Sequence, residues 1–178
     1  RKKRLLKAIL FIIMVLTLMA TLPISHMIAA EPRDTWISNE FLHYINTISN
    51  RYHICPEMLM AIIEHESSGQ AGATNGGCKG LMQINEKYHT ERMNRLGVTD
   101  IYDPYGNIIV GCDYLAELFA EYEDISIVLM KYNGTSGAVE KGYENRTKYA
   151  DEIIKRTMEL ERLHEEKEKE SSKPTKAE

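Results

Sequence analysis

From residue 35 onward the apolar positions recur mostly three and four apart, the spacing that gathers side chains on one face of a helix rather than the alternation of a strand. Trp36, Ile37, Phe41, Tyr44, Ile45 and Ile48 predict a first helix over residues 35–50. Pro56 suits the first turn of a second helix, where its missing N–H is one of the orphan donors anyway. The glycine-, serine- and asparagine-rich stretch SSGQAGATNGG reads as a loop. Asn85 can cap a third helix that stops near Gly97. Asp103-Pro104 reads as cap and first turn of a fourth, running to about Tyr122. Asp124 opens a fifth, ended by Asn133-Gly134. Thr147 opens a last one, with Tyr149, Ile153, Ile154, Met158 and Leu160 as its apolar positions. Strand signals are weak and no repeat at solenoid periods is visible. The pattern predicts a mainly α domain over residues 31–160.

The two ends of the chain depart from that pattern. RKKRLLK carries five basic side chains in seven positions, and an apolar run follows from Ala8 to Leu22. A basic start, an apolar stretch and the small pair Ala29-Ala30 describe a secretory signal peptide over residues 1–30. An uncleaved membrane anchor is the other reading, since a spanning helix needs about 20 apolar residues. Either places residues 31 onward outside the cytoplasm. Past Leu163 the sequence is HEEKEKESSKPTKAE, and residues 161–178 are expected to form a charged, mostly disordered tail. The net charge is −4 over 178 residues, 43% of them apolar. That is enough chain for one core, and without a basic face it does not suggest a nucleic-acid binder.

Within the second helix, Leu59, Ile62, Ile63 and Glu66 fall at i, i+3, i+4 and i+7, so a glutamate ends an apolar stripe where the helix runs into the loop. Glu57 and Glu64 fall on the opposite side and read as solvated acids. A carboxylate among apolar neighbours loses hydration, its pKa rises, and it can hold a proton near neutral pH, as a general acid must. A helix-end glutamate that turns to solvent is the alternative from periodicity alone.

Further residues carry a resemblance. ESS at 66–68, GLMQI at 80–84 and YNG at 132–134 resemble, in order and spacing, the signatures of bacterial lytic transglycosylases of the soluble, goose-lysozyme-like type. NRTKYADEI at 145–153 is similar to that family's tyrosine-bearing final helix. The resemblance covers roughly residues 45–158. It implies a lysozyme-like α-helical domain with a small loop or strand element lining a groove, and it implies roles position by position. Glu66 is the catalytic acid and base. Ser67, Gly80, Leu81, Met82, Gln83, Tyr132, Asn133 and Tyr149 contact the glycan, with Tyr132 able to reach Glu66 or substrate. The implied substrate is peptidoglycan, cleaved at the β-1,4 bond after N-acetylmuramic acid to leave a 1,6-anhydro end. A hydrolytic muramidase, or a silent wall-binding component, are the alternatives. A secretion or conjugation apparatus is a candidate partner by analogy alone. Lys131 and Thr135 depart from the family's usual alanine and small residue, which puts the shape of the far wall in question.

Glycosidases ordinarily use two carboxylates. Asp103 and Asp113 read as a cap and a solvated side chain, so one acid is left, with the substrate's own acetamido group as the implied partner. No cofactor or metal is expected. EHE at 64–66 is not a metal motif, because consecutive helical residues point about 100° apart, and the histidines show no ligand spacing. Cys112 lies on an apolar face. Cys55 and Cys78 are either a disulfide tying helix to loop in an oxidising exterior or two free thiols.

Overall fold

A computed structural model describes residues 38–135 and 147–172. The expected signal or anchor segment, and Trp36, lie outside those residues. The described part is mainly helical: α1 (Asn39–Tyr52), α2 (Pro56–Ser67), α3 (Glu86–Leu96), α4 (Pro104–Glu121), α5 (Ile125–Tyr132) and α6 (Lys148–Ser171). Between α2 and α3 lies a two-stranded antiparallel hairpin, β1 (Thr74–Asn75) and β2 (Cys78–Lys79).

Local chemistry sets the helix starts. The side chains of Asn85, Asp103, Asp124 and Thr147 each accept from a backbone N–H of the turn that follows, and such a cap is worth about 1 kcal/mol. Ser38 does the same for α1, accepting from Phe41 N at 3.2 Å, so α1 begins at Asn39 rather than near residue 35. Gly97 ends α3 in the left-handed conformation, φ 71°, where a residue without Cβ is unstrained.

Burial organises the helices around α2. Leu59, Ile62 and Ile63 are fully buried, as are Ile108 and Leu115 of α4, Val128 and Leu129 of α5, and Ala150 of α6. Each large one contributes about 1.5–3 kcal/mol. α2 packs chiefly on α6, α1 lies against α2 and α4, and α5 joins α4 to α6. Cys112 is core, as expected.

Further expectations fail, each for a tertiary or pairing reason. Glu57 is not solvated but 7% exposed, held by His164 Nδ1 at 2.8 Å and the Cys55 thiol at 3.1 Å. Glu64 is no open surface acid: Arg156 grips both its oxygens, at 2.6 and 2.9 Å, and ties α2 to α6. Met158 points outward, 63% exposed, because Thr157 and Leu160 take the inward positions of that turn. The tail expected to be disordered from residue 161 continues α6 to Ser171. Its Glu, Lys and Arg are good helix formers, and Arg162–Glu166 and Glu165–Lys169 pair across one turn at 2.6 and 3.2 Å. Residues 173–178 lie outside the described part. Among the described residues no helix is long and apolar enough to cross a membrane.

Candidate active site

Glu66 stands in the last turn of α2, and Ser68 caps that helix in a left-handed conformation, φ 52°. The side chain is half-buried. Tyr149, in the first turn of α6, donates its hydroxyl to Glu66 Oε1 at 2.8 Å. Loss of hydration pushes the Glu66 carboxyl up, and it stays raised although the Tyr149 hydrogen bond and the His65 charge favour the ionised form. The same desolvation, with the Glu66 charge beside it, holds the Tyr149 phenol far above its ordinary range, so Tyr149 is a fixed donor and not a base.

The three consecutive residues of EHE have three separate partners. Glu64 meets Arg156, His65 Nε2 meets Glu152 Oε2 at 3.2 Å, and Glu66 meets Tyr149. The His65 ring also stands edge-on to Tyr149, with centroids 4.9 Å apart and planes at 81°. A ring edge packed against an aromatic face is a favoured geometry, and here it supports the phenol that binds Glu66.

The second wall of the site is the segment Gly80–Gln83, and one buried asparagine holds it. Asn107 of α4 has no exposure. Its Oδ1 accepts from Met82 N at 2.7 Å, and its Nδ2 donates to Lys79 O and Ile101 O, both at 2.9 Å. Gly80 has φ +75°, and a Cβ there would collide with the Asn107 side chain and come within 2.9 Å of Ile101 O. Glycine is therefore required twice, for conformation and for space. Met82 is fully buried and sits against Gly111, where a Cβ would run into its sulfur.

Tyr132, at the end of α5, does not bond Glu66. Its hydroxyl donates to Met82 O at 2.8 Å. Burial and the nearby Glu66 charge push its phenol well up, and its hydrogen bond ties α5 to the loop beside the acid. Tyr114 lies beside it with ring centroids 5.5 Å apart. Gln83 takes a left-handed conformation, φ 48°. Its amide nitrogen donates to Ala73 O and Gly80 O at 3.2 and 2.9 Å, which folds the loop on itself.

Glu66, Tyr149, Tyr132 and the Met82 backbone are thus brought together. Ser67 is not: it is buried, and its hydroxyl bonds back to Ile63 O of its own helix at 3.0 Å. Leu81 is core, 2% exposed, and Asn133 is exposed at the end of α5. Asp103 caps α4. Asp113 is not solvated, with its side chain 13% exposed against Arg92 and Arg95.

Cys55 and Cys78 are free thiols, not a disulfide. The Cys55 sulfur turns instead to carboxylates, Glu57 at 3.1 Å and Glu161 of α6 at 3.5 Å. Burial and the hydrogen bond to Glu57 push the thiol up to about 12.

Reading the sequence missed Asn107, His65 and Glu152. Asn107 had a signal, since it shares a helical stripe with Gly111 and Leu115 and is polar there. The other two had none, because His65 on α2 and Glu152 on α6 meet only when the two helices pack.

Residues 43–155 match the model of the transglycosylase SLT domain family. The chain is 31% identical over 112 residues to a transglycosylase of Enterobacteria phage PRD1, an alignment that covers 62% of this chain and 40% of that protein. It is 30% identical over 126 residues to the membrane-bound lytic murein transglycosylase E of Buchnera aphidicola subsp. Acyrthosiphon pisum (strain APS), covering 62% of this chain and 57% of that one. This chain therefore spans about half the length of these relatives. With more than half of its residues matching the family model, the chain belongs to the transglycosylase SLT domain family.

Proposed function

We propose that this chain is a peptidoglycan lytic transglycosylase in which Glu66 is both acid and base. The observation that carries the reading is the Tyr149–Glu66 contact on a carboxyl whose pKa is raised by burial. Tyr149 occupies one oxygen and leaves the other to carry the proton. Glu66 gives that proton to the glycosidic oxygen between N-acetylmuramic acid and N-acetylglucosamine, and the C1–O4 bond breaks. The muramic 2-acetamido group stabilises the cation at C1. The resulting Glu66 carboxylate then takes the proton of the muramic 6-hydroxyl as O6 bonds to C1, which restores the acid and leaves a 1,6-anhydro end. General acid–base catalysis of this kind contributes about 10²–10⁴-fold.

The name of the Buchnera relative, a membrane-bound murein enzyme, supports action at the cell wall. So does the basic and apolar N-terminal segment, which serves as export signal or anchor. A larger secretion or conjugation machine is the partner class such a domain would serve.

The test is mass spectrometry of fragments released from purified peptidoglycan by the full chain and by Glu66→Gln. Products lighter by one water than reducing muropeptides, absent with the variant, are expected. Reducing ends instead would replace transglycosylation with hydrolysis. Wall binding without any product from folded protein would make the domain a silent adaptor.

A further inference from the structure

We propose that Cys55, Glu57, Glu161 and His164 form a binding site for a divalent transition-metal ion of the zinc type, joining the start of α2 to the outer part of α6. These residues lie at the opposite end of α2 from Glu66, and the inference does not depend on the function proposed above.

The site is built from two short sequence pairs. Cys55-x-Glu57 brackets Pro56 at the first turn of α2. Glu161 and His164 stand three apart on α6, so they share one face. The donor atoms of Cys55, Glu57 and Glu161 all lie within 4.8 Å of one another. The Cys55 sulfur is 3.1 Å from Glu57 Oε2 and 3.5 Å from Glu161 Oε1. His164 Nδ1 stands 2.8 Å from Glu57 Oε1. In tetrahedral zinc sites the metal–donor bonds are about 2.0–2.3 Å, which sets the donors roughly 3.3–3.7 Å apart. The donors of Cys55, Glu57 and Glu161 therefore lie near the separation the ion imposes, while His164 stands on the other oxygen of Glu57, so that a turn of its exposed ring brings the fourth donor to the cation.

The donor chemistry narrows the ion. One thiolate and one imidazole with two carboxylates is a mixed S, N, O set, which suits zinc and its neighbours and not the all-oxygen shells of calcium or magnesium. Four protein donors leave no open position, which marks a structural site. A further feature fits the same reading. The other ring nitrogen of His164 faces Glu168 Oε1 at 3.8 Å, and a carboxylate behind a ligating histidine fixes its ring and tautomer in metal sites. Glu57 is buried on the inner side, while the His164 side chain is 57% exposed on the outer side, which gives the ion a way in.

The full chain, purified with a non-chelating phosphine reductant, is titrated with zinc chloride by calorimetry and with cobalt chloride by absorption. One ion per chain is expected. Cobalt should give a near-ultraviolet thiolate charge-transfer band and the intense visible bands of tetrahedral coordination. Zinc should raise the unfolding temperature, and a chelator should reverse the rise. Cys55→Ser should abolish the charge-transfer band and Cys78→Ser should leave it intact. Glu168→Gln should weaken zinc by roughly tenfold. Should Cys55→Ser not fold, the exposed His164 carries the test, since His164→Ala should lose the zinc-dependent rise. Folded wild-type chain without the band, a band that survives Cys55→Ser, or a zinc response that survives His164→Ala would overturn the proposal.

Discussion

At the scale of single residues, the candidate site sets loss of hydration against a hydrogen bond on one carboxyl. Burial raises the Glu66 carboxyl, and Tyr149 moderates the rise by donating to the ionised form. Removing that donor with Tyr149→Phe therefore pushes the Glu66 pKa further up. In the proposed reaction Glu66 must begin protonated, so the alkaline limb of the pH–rate profile reports its loss of the proton. Tyr149→Phe should move that limb to higher pH while lowering the maximal rate, because the orientation of the carboxyl is lost along with the hydrogen bond. An alkaline limb that stays in place, or moves down, would show that Tyr149 does not act through Glu66. His65 stands beside both groups, its ring edge-on to Tyr149 and its Nε2 on Glu152. Its charge is one of the two influences that favour the Glu66 carboxylate, and the packing of α6 on α2 supplies the Glu152 and Tyr149 contacts that hold its ring.

At the scale of elements, the loop is held more firmly than its composition suggests. Asn107 makes three hydrogen bonds from a site with no exposure. Asn107→Ala would leave the Met82 N–H and the Ile101 carbonyl without their partner, while Lys79 O keeps Ile84 N, and each such orphaned buried group costs about 1–3 kcal/mol. A loss of roughly 3 kcal/mol or more in chemical denaturation is expected, with glycan cleavage falling further than the folded fraction, because Met82 and the Tyr132 hydroxyl depend on the same segment. Equal losses of stability and activity would reduce Asn107 to a core residue. This contrast also measures how far the sequence could be read. Helix starts were legible because Asn85, Asp103, Asp124 and Thr147 act on N–H groups two or three residues away. Glu66 was legible because it interrupts an apolar stripe. Glu57 and Glu64 were misread because their partners, His164 and Arg156, lie 107 and 92 residues along the chain. The last turns of α6 were misread for a related reason: composition alone argues for disorder, while pairing across each turn and the hold of His164 on Glu57 favour helix. The role of Tyr132 needed the loop to be in place before its hydroxyl had a carbonyl to meet.

For the whole molecule, pH sets groups with opposite shifts in competition. Glu66 has its carboxyl raised, so charging it opposes folding, and that penalty disappears as pH falls. Asp113 has its carboxyl lowered, chiefly by hydrogen bonds from Arg95 and Arg92, which outweigh its burial. Glu57 is lowered by Cys55 and His164. A depressed carboxyl contributes stability that is fully present above its unfolded pKa, about 4, and is lost as pH falls through the lower folded value. The lowered groups outnumber the raised one, so the unfolding temperature should fall below about pH 4 in spite of Glu66. Asp113 is the better probe, since it joins α4 to two arginines of α3, with Arg92 only 10% exposed. Asp113→Asn leaves Arg95 without its charge partner and Arg92 with Glu117 alone, and at neutral pH it should cost about 1–3 kcal/mol. The cost should shrink with acid, because protonation makes the same change in the unaltered chain. Thermal melts followed by circular dichroism from pH 7 to pH 3 should therefore show two curves that converge at the acid end. Parallel curves would mean that Asp113 keeps its ordinary pKa in the fold and that another carboxylate governs acid unfolding.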